Sequence, residues 1–192
     1  MFNDRTSLPA YFATRRSGKP RDMVAPGPDD ATLQAMIGMA ARTPDHGKLA
    51  PWRFVIVPAD QRAAFAAMLI AAYRVDKPEA GRLEIEAIEQ FAYQAPTLVV
   101  VVSAPNTASH IPVWEQELSA GAACMNLLHA AHAHGFVAGW LTGWATYSAA
   151  VRESIAGAEG RIAGFVFIGT PSRDLDERPR PDLERIVRRW PE

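Results

Sequence analysis

The segment Arg15-Arg16-Ser17, followed by Lys19, carries side chains that suit a phosphate ester. Arginine binds phosphate through paired, charge-assisted hydrogen bonds, and Lys19 could reach a second negative group on the same ligand. Taken alone, a short basic run at the end of a helix is more often solvated, where it complements the helix dipole. This segment therefore indicates an anion site only if other parts of the chain support it.

A second candidate is the loop from Arg42 to Trp52, which reads RTPDHGKLAPW. Two prolines and a glycine predict an irregular loop, and irregular loops on rigid flanks often carry binding groups. Arg42, His46 and Lys48 offer donors to a carbonyl or a phosphate. The alternative is a structural Pro-Trp turn with a surface histidine, and the sequence leaves both interpretations open.

A third candidate is the run Gly139 to Gly143, which includes Trp140, Leu141 and Thr142. Because glycine has no side chain, the backbone here can approach a flat ligand closely, and Trp140 can stack on it or form a wall. The alternative is a strand that ends in a glycine turn. In isolation the run favours that simpler interpretation.

The fourth candidate is the pair Arg178 and Arg180 near the end of the chain. Alternate residues of an extended segment point to the same side, so both guanidinium groups could face one phosphate. A solvated tail is the alternative.

Other chemistries find little support. His129 and His132 share a helix face but His134 does not, and no carboxylate lies among them, so we expect no metal site. Cys124 sits among apolar residues without an activating neighbour. The chain has no G-x-G-x-x-G or P-loop fingerprint and no G-x-S-x-G elbow. We assign no catalytic side chain.

Bulk properties limit the class of protein. The chain has 192 residues, of which 48% are hydrophobic, and a formal net charge of -1. This predicts a single globular domain over residues 1–192, with no electrostatic reason to bind nucleic acid or a membrane. A single cysteine and the absence of an apolar leader at the N-terminus favour a soluble, cytoplasmic protein.

Periodicity predicts the elements that would position these groups. The expected helices span residues 5–16, 29–42, 59–74, 77–93, 113–134, 148–155 and 182–189. The expected strands span residues 54–57, 97–102, 136–142 and 165–168, of which 97–102 should be central and buried on both faces. Residues 17–28 are expected to form a loop, and 172–181 an extended tail. The alternation predicts a mixed α and β core.

The order of these features resembles the nitroreductase family over nearly the whole chain. The shared features are RRS, a Pro-containing loop that ends in Pro-Trp, a long helix of small residues, G-W-x-[ST]-G, and F-x-x-x-G-T-P before a basic tail. The similarity is greatest to short members with an R-x-P-D-H loop and the motif W-E-Q-E, here Trp114 to Glu117.

The resemblance implies an α+β fold, a three-layer α/β/α sandwich with a mixed, mainly antiparallel sheet. It also implies a homodimer with FMN at the interface, where both subunits contribute to each site. NADH or NADPH would reduce the flavin, and a small-molecule acceptor, a nitro compound or a quinone, would take the electrons in a ping-pong cycle. Another reaction of this fold, such as dehalogenation or oxidation of a flavin-like substrate, and a non-enzymatic FMN-binding module are the alternatives.

The family pattern also assigns roles to residues. Arg15, Arg16 and Ser17 would hold the phosphate and ribityl chain, and Lys19 would lie near N1 and O2 of the isoalloxazine. The remaining cofactor-binding candidates are Arg42, His46, Trp140, Leu141, Thr142, Arg178 and Arg180. The chain departs from the pattern at Lys48 and Ala50, where many members have Asn and Gln that contact the flavin pyrimidine ring. A lysine at position 48 could instead stabilise negative charge on the reduced ring. Apart from the family pattern, the position of residues 77–93 in the chain suggests that they could form a substrate lid.

Overall fold

The computed structural model describes residues 1–191. Its α-helices are α1 (Leu8–Thr14), α2 (Asp30–Ala40), α3 (Arg62–Asp76), α4 (Arg82–Phe91), α5 (Val113–Ala133), α6 (Trp144–Tyr147), α7 (Ala149–Ala156) and α8 (Leu183–Ile186). The strands are β1 (Met23–Val24), β2 (Trp52–Val57), β3 (Thr97–Ser103), β4 (Val137–Leu141) and β5 (Arg161–Pro171). Single 3-10 turns lie at Pro20–Asp22, His46–Lys48 and Ala59–Gln61.

The sheet is built around β5, which pairs with β1, β3 and β4, while β2 pairs with the other side of β3. All four pairings are antiparallel. The prediction of an α+β fold with a mainly antiparallel sheet is confirmed. The parallel pairing that a mixed sheet would contain is not found among residues 1–191.

Alternate residues of the central strands face two separate apolar cores, because side chains alternate across a strand. Leu98 and Val100 with Phe165 belong to the core under α3, α4 and α7. Val99 and Val166 belong to the core under α2 and α5. The three-layer arrangement follows directly, and β3 is buried on both faces as expected.

Local signals explain several helix starts. The Ser7 hydroxyl accepts a hydrogen bond from the Ala10 N–H at the start of α1, and Asp29 caps α2 in the same way by accepting from Thr32. Both are favoured N-cap residues. Among residues 1–191, no helix is both long enough and apolar enough to cross a lipid bilayer.

The sequence prediction was wrong at several boundaries. Helix α1 covers only Leu8–Thr14, so Arg15 and Arg16 lie outside it. The expected loop at 17–28 contains a 3-10 turn and strand β1. Strand β5 does not stop at Gly169 but runs to Pro171, since β1 supplies a partner for Thr170 and Pro171.

Three helices also differ from expectation. Helix α4 starts at Arg82 and not at Lys77, because Pro78 and Gly81 lie in the connection from α3. The helix expected at 182–189 is only the turn Leu183–Ile186, consistent with the poor stability of short helices without packing partners. The turn α6 was not predicted at all.

Candidate functional site

The Arg15 to Lys19 segment runs beside strand β4. The Gly18 N–H donates a hydrogen bond to the Ala138 carbonyl at 3.1 Å. Gly139 permits this approach, since a Cβ there would lie 2.7 Å from the Gly18 carbonyl oxygen. Two of the four candidate segments, the first basic run and the Trp140 run, are thus joined within one chain.

Helix α1 delivers Arg15 to this place and is itself fixed on α5. The Tyr11 hydroxyl lies 2.7 Å from His129 Nδ1 and 2.9 Å from His132 Nδ1. Burial is the main cause of three pKa shifts in the cluster: the pKa of Tyr11 rises to about 12, that of His132 falls to about 4, and that of His129 falls. His129 and His132 therefore hold α1 against α5 through the hydroxyl of Tyr11.

The tail after β5 returns over the same segment. Arg16 Nε donates to the Asp176 carbonyl at 2.7 Å, and Lys19 Nζ lies 2.7 Å from the Asp176 carboxylate. Arg180 reaches the Arg15 carbonyl at 3.4 Å. The fourth candidate segment therefore meets the first, and Arg178 lies exposed in the same stretch of tail.

Positive charge concentrates at this meeting point. The pKa of Arg15 is lowered, first by burial and then by the neighbouring charges of Arg180 and Arg16. Arg15 also donates to the Ser17 hydroxyl at 3.2 Å. Half-buried guanidinium groups that repel one another are stabilised by a bound dianion. This donor set of guanidinium and hydroxyl groups fits a phosphate monoester.

The end of β4 offers a flat surface beside the basic cluster. Trp140 is 39% exposed, and its Nε1 donates to the Ala163 carbonyl at 3.0 Å while the ring covers Gly164. Leu141 is the last strand residue and points toward the core under α3, whereas exposed Thr142 follows the strand. The next residue, Gly143, has φ 138°, a backbone conformation that glycine adopts readily and residues with side chains rarely do.

The Arg42 to Trp52 loop is anchored elsewhere, on the first turns of α5. The Ser119 hydroxyl donates to the Pro44 carbonyl at 2.7 Å and accepts from Trp52 Nε1 at 3.1 Å. His46 Nδ1 lies 2.7 Å from the Glu115 carboxylate. Glu115, in the first turn of α5, thus holds this loop through His46.

This loop and the Arg15 to Lys19 segment flank different strands of the sheet. The loop leads into β2, whereas the basic segment lies beside β4, and β3 and β5 separate these strands. Three strand spacings correspond to about 14 Å. One chain therefore brings together three of the four candidate segments, and Arg42 and His46 are not among them.

Backbone strain marks the same loop. Lys48 has φ 56° and Ala50 has φ 46°, and both are exposed. Residues with side chains seldom adopt this left-handed conformation, and such strain is often found at functional sites. The Ala50 N–H donates to the Asp45 carboxylate at 2.7 Å, which helps to hold the conformation.

Two polar residues near the basic cluster were missed from the sequence. Asn3 holds the Arg16 backbone from both sides, since its amide donates to the carbonyl at 3.0 Å and its oxygen accepts from the N–H at 2.8 Å. Asp176 places a carboxylate against Lys19. No local pattern predicts either contact, because each joins residues far apart in the chain.

The connection between α3 and α4 lies next to the Trp140 run. Trp144, just after Gly143, donates to the Asp76 carboxylate at 2.9 Å and meets the Tyr73 ring edge to face at 4.7 Å between centroids. Tyr73 in turn donates to Glu84 at 2.9 Å. The start of the expected lid is therefore tied to the turn that follows β4.

Comparisons with known proteins identify the family of this chain and its fold. An Escherichia coli (strain K12) protein with the provisional name NAD(P)H nitroreductase YdjA is 35% identical over 154 residues, which cover 78% of this chain and 81% of that protein. The nitroreductase-like family protein from Bacillus cereus has a TM-score of 0.81 at 17% identity, with both chains covered in full. A variant of the FMN- and NADPH-dependent nitroreductase NfnB from Sphigopyxis sp. strain HMH has a TM-score of 0.72 at 19% identity, covering 93% of this chain and 96% of that one. The sequence pattern of the Nitroreductase family matches residues 13–170, and the chain belongs to that family.

Proposed function

We propose that this chain is an FMN-dependent oxidoreductase that passes electrons from NADH or NADPH to a small organic acceptor, a nitro compound or a quinone, by a ping-pong mechanism. The observation that carries the proposal is the convergence of Arg15–Lys19, the end of β4 and the arginine-bearing tail in one chain. Membership of the family and the name of the Escherichia coli relative support the choice of cofactor and donor.

In this proposal the phosphate of FMN is held by Arg15, Arg16 and Ser17 with Arg178 and Arg180. The half-buried Arg15 and its repulsion from Arg180 favour a doubly negative group at this place. Lys19 would lie toward the pyrimidine part of the ring. The exposed surface of Trp140, with Leu141 and Thr142, would line the ring.

We further propose that the site is completed by a second copy of the chain. The Arg42 to Trp52 loop leads into β2, whereas the basic segment lies against β4, and both β3 and β5 lie between these strands. Arg42 and His46 would then reach a flavin bound chiefly by the partner subunit, and Lys48 would lie near the reduced ring. The proposed assembly is a homodimer of single-domain subunits, each spanning residues 1–192, in the cytoplasm.

The protein's own contribution to the reaction is position and electric field. When bound, FMN supplies the redox chemistry, since its ring can accept a hydride equivalent and release electrons. Lys19 and Lys48 place positive charge where negative charge would develop. Residues 77–93 would form a lid that limits access of water to the ring, and the hydrogen bond from Trp144 to Asp76 would anchor its start. No side chain is required as a general acid or base in this proposal.

The test begins with the absorption spectrum of purified protein supplied with FMN. We expect a bound flavin in stoichiometric amount, reduction by NADH or NADPH in stopped flow, and steady turnover with a nitroarene or a quinone. Protein that takes up no FMN would overturn the proposal. Bound flavin that either nicotinamide reduces without turnover of these acceptors would favour another flavin reaction, and bound flavin that neither nicotinamide reduces would favour a binding module.

A further inference from the structure

Asp176 is an exposed carboxylate beside the basic cluster, in which Glu177 also pairs with Arg180 at 3.1 Å. Its Oδ2 lies 2.7 Å from Lys19 Nζ and 3.1 Å from Arg173. Arg16 holds its carbonyl at 2.7 Å, and the preceding Leu175 packs against the core under α3. Arg173 is itself fixed by Asp22 at 3.1 Å. Backbone and side-chain contacts together place this carboxylate beside Lys19 at the protein surface.

The charge on Lys19 is thereby partly cancelled. The pKa of Asp176 is lowered, first by the hydrogen bond from Lys19 and then by the charges of Lys19, Arg173 and Arg16. The carboxylate is therefore ionised at neutral pH. A ligand that approaches Lys19 meets an ion pair and not a bare ammonium group.

We propose that Asp176 is a positioning residue that sets the redox balance of the bound flavin through Lys19. This inference rests on the proposed function, in which Lys19 lies toward the pyrimidine part of FMN. Two electrons and one proton, taken from a reductant, convert oxidised FMN into an anion with added negative charge in that part of the ring. A fixed carboxylate beside Lys19 makes this anion less favourable, because like charges repel. Asp176 thus holds the reduction potential below the value that Lys19 alone would give.

The test compares the affinities for oxidised and reduced FMN in Asp176→Asn and the unaltered protein. Redox titration against a reference dye gives the potential, and fluorescence gives the dissociation constant of oxidised FMN. We expect the variant to favour the reduced form about fivefold more than the unaltered protein does. For a two-electron couple, where tenfold equals 29.6 mV, this is a rise of about 20 mV.

Two further variants separate charge from structure. Asp176→Glu keeps the carboxylate and is expected to stay within about twofold of the unaltered protein. Asp174→Asn removes the same charge two residues earlier in the exposed tail and is expected to do likewise. An unchanged potential in Asp176→Asn, or an equal rise in Asp174→Asn, would overturn the inference while leaving the proposed function intact. Failure of the unaltered protein to bind FMN would instead reject the proposed function.

Discussion

The Gly18 N–H and the Ala138 carbonyl meet at 3.1 Å, and this hydrogen bond joins the basic segment to strand β4. The bond requires a residue without a side chain at position 139. A Cβ at Gly139 would lie 2.7 Å from the Gly18 carbonyl oxygen and 3.4 Å from Pro20. The backbone of the proposed phosphate site therefore depends on a glycine in the neighbouring strand.

Gly139→Ala is expected to displace the Arg15 to Lys19 segment. We expect FMN affinity to fall about tenfold and the free energy of unfolding to fall by about 1–3 kcal/mol, the usual cost of overpacking. Flavin fluorescence titration and urea unfolding measure the two effects. In the control variant Gly38→Ala, the new Cβ meets no atom within 4 Å and lies inside α2. That variant should be more stable by about 0.5–1 kcal/mol, because alanine favours helix, and should bind FMN as before. Unchanged affinity in Gly139→Ala would contradict the role of this contact.

The phosphate site predicts a difference between FMN and riboflavin, which lacks the phosphate. Arg15→Ala and Arg180→Ala each remove a guanidinium group from the cluster. A charged hydrogen bond contributes about 1.5–3 kcal/mol, so FMN should bind about 10- to 100-fold more weakly to each variant. Riboflavin affinity should change little, and isothermal titration with both ligands measures the contrast. Arg74→Ala, at the exposed end of α3, is the control. An equal loss for both ligands would show that these arginines do not bind the phosphate.

Much of this architecture could be predicted from the sequence, because the signals were local. The run of valines in β3 and the small residues of α5 specify buried elements whatever their neighbours are. The extension of β5 to Pro171 could not be predicted, since it depends on pairing with Met23 and Val24 far away in the chain. Strand pairing of this kind is a tertiary effect that overrides the local preference of proline and glycine.

In the candidate site, too, the residue types could be predicted from local patterns, whereas their long-range contacts could not. The basic types at positions 15, 16 and 19 were visible in the sequence, as was the glycine-bounded tryptophan run. Their partners were not, because Asp176 and Asn3 meet them across long sequence separations. Sequence patterns also did not indicate that the Arg42 loop and strand β4 of one chain lie toward opposite edges of the sheet.

The bond between Trp144 and Asp76 predicts how the proposed lid affects substrates. Trp144→Phe removes the indole N–H that donates to Asp76 at 2.9 Å, while it keeps an aromatic ring against Tyr73. We expect the KM for a bulky acceptor to rise about threefold, because the solvent-exposed hydrogen bond to Asp76, of about 0.5–1.5 kcal/mol, no longer holds the lid. FMN affinity should not change. The control variant is Tyr147→Phe, on the same turn and 79% exposed. An unaltered KM in Trp144→Phe, or a matching rise in Tyr147→Phe, would argue against a lid at this place.

The Tyr11 cluster predicts that the protein loses stability as the pH falls. Burial lowers the pKa of His132 from 6.5 to about 4, and the charges of Arg15 and His129 act in the same direction. The unfolded chain takes up a proton at His132 as the pH falls below about 6.5, whereas the folded chain does so only near pH 4. The unfolded state therefore binds more protons in this window, and the free energy of unfolding should fall with pH by up to about 3 kcal/mol.

Urea unfolding of the FMN-saturated protein between pH 8 and 4.5 measures this dependence. His132→Asn keeps a polar group near the Tyr11 hydroxyl but has no group that titrates in the window, so its stability should be lower at neutral pH and should fall less steeply below it. His134→Asn changes an exposed histidine two residues later and is the control. If His132→Asn kept the full acid-induced loss of the unaltered protein, the loss would come from other groups. Since α1 leads directly into Arg15, we also expect FMN affinity to fall over the same pH range in the unaltered protein and to fall less in His132→Asn.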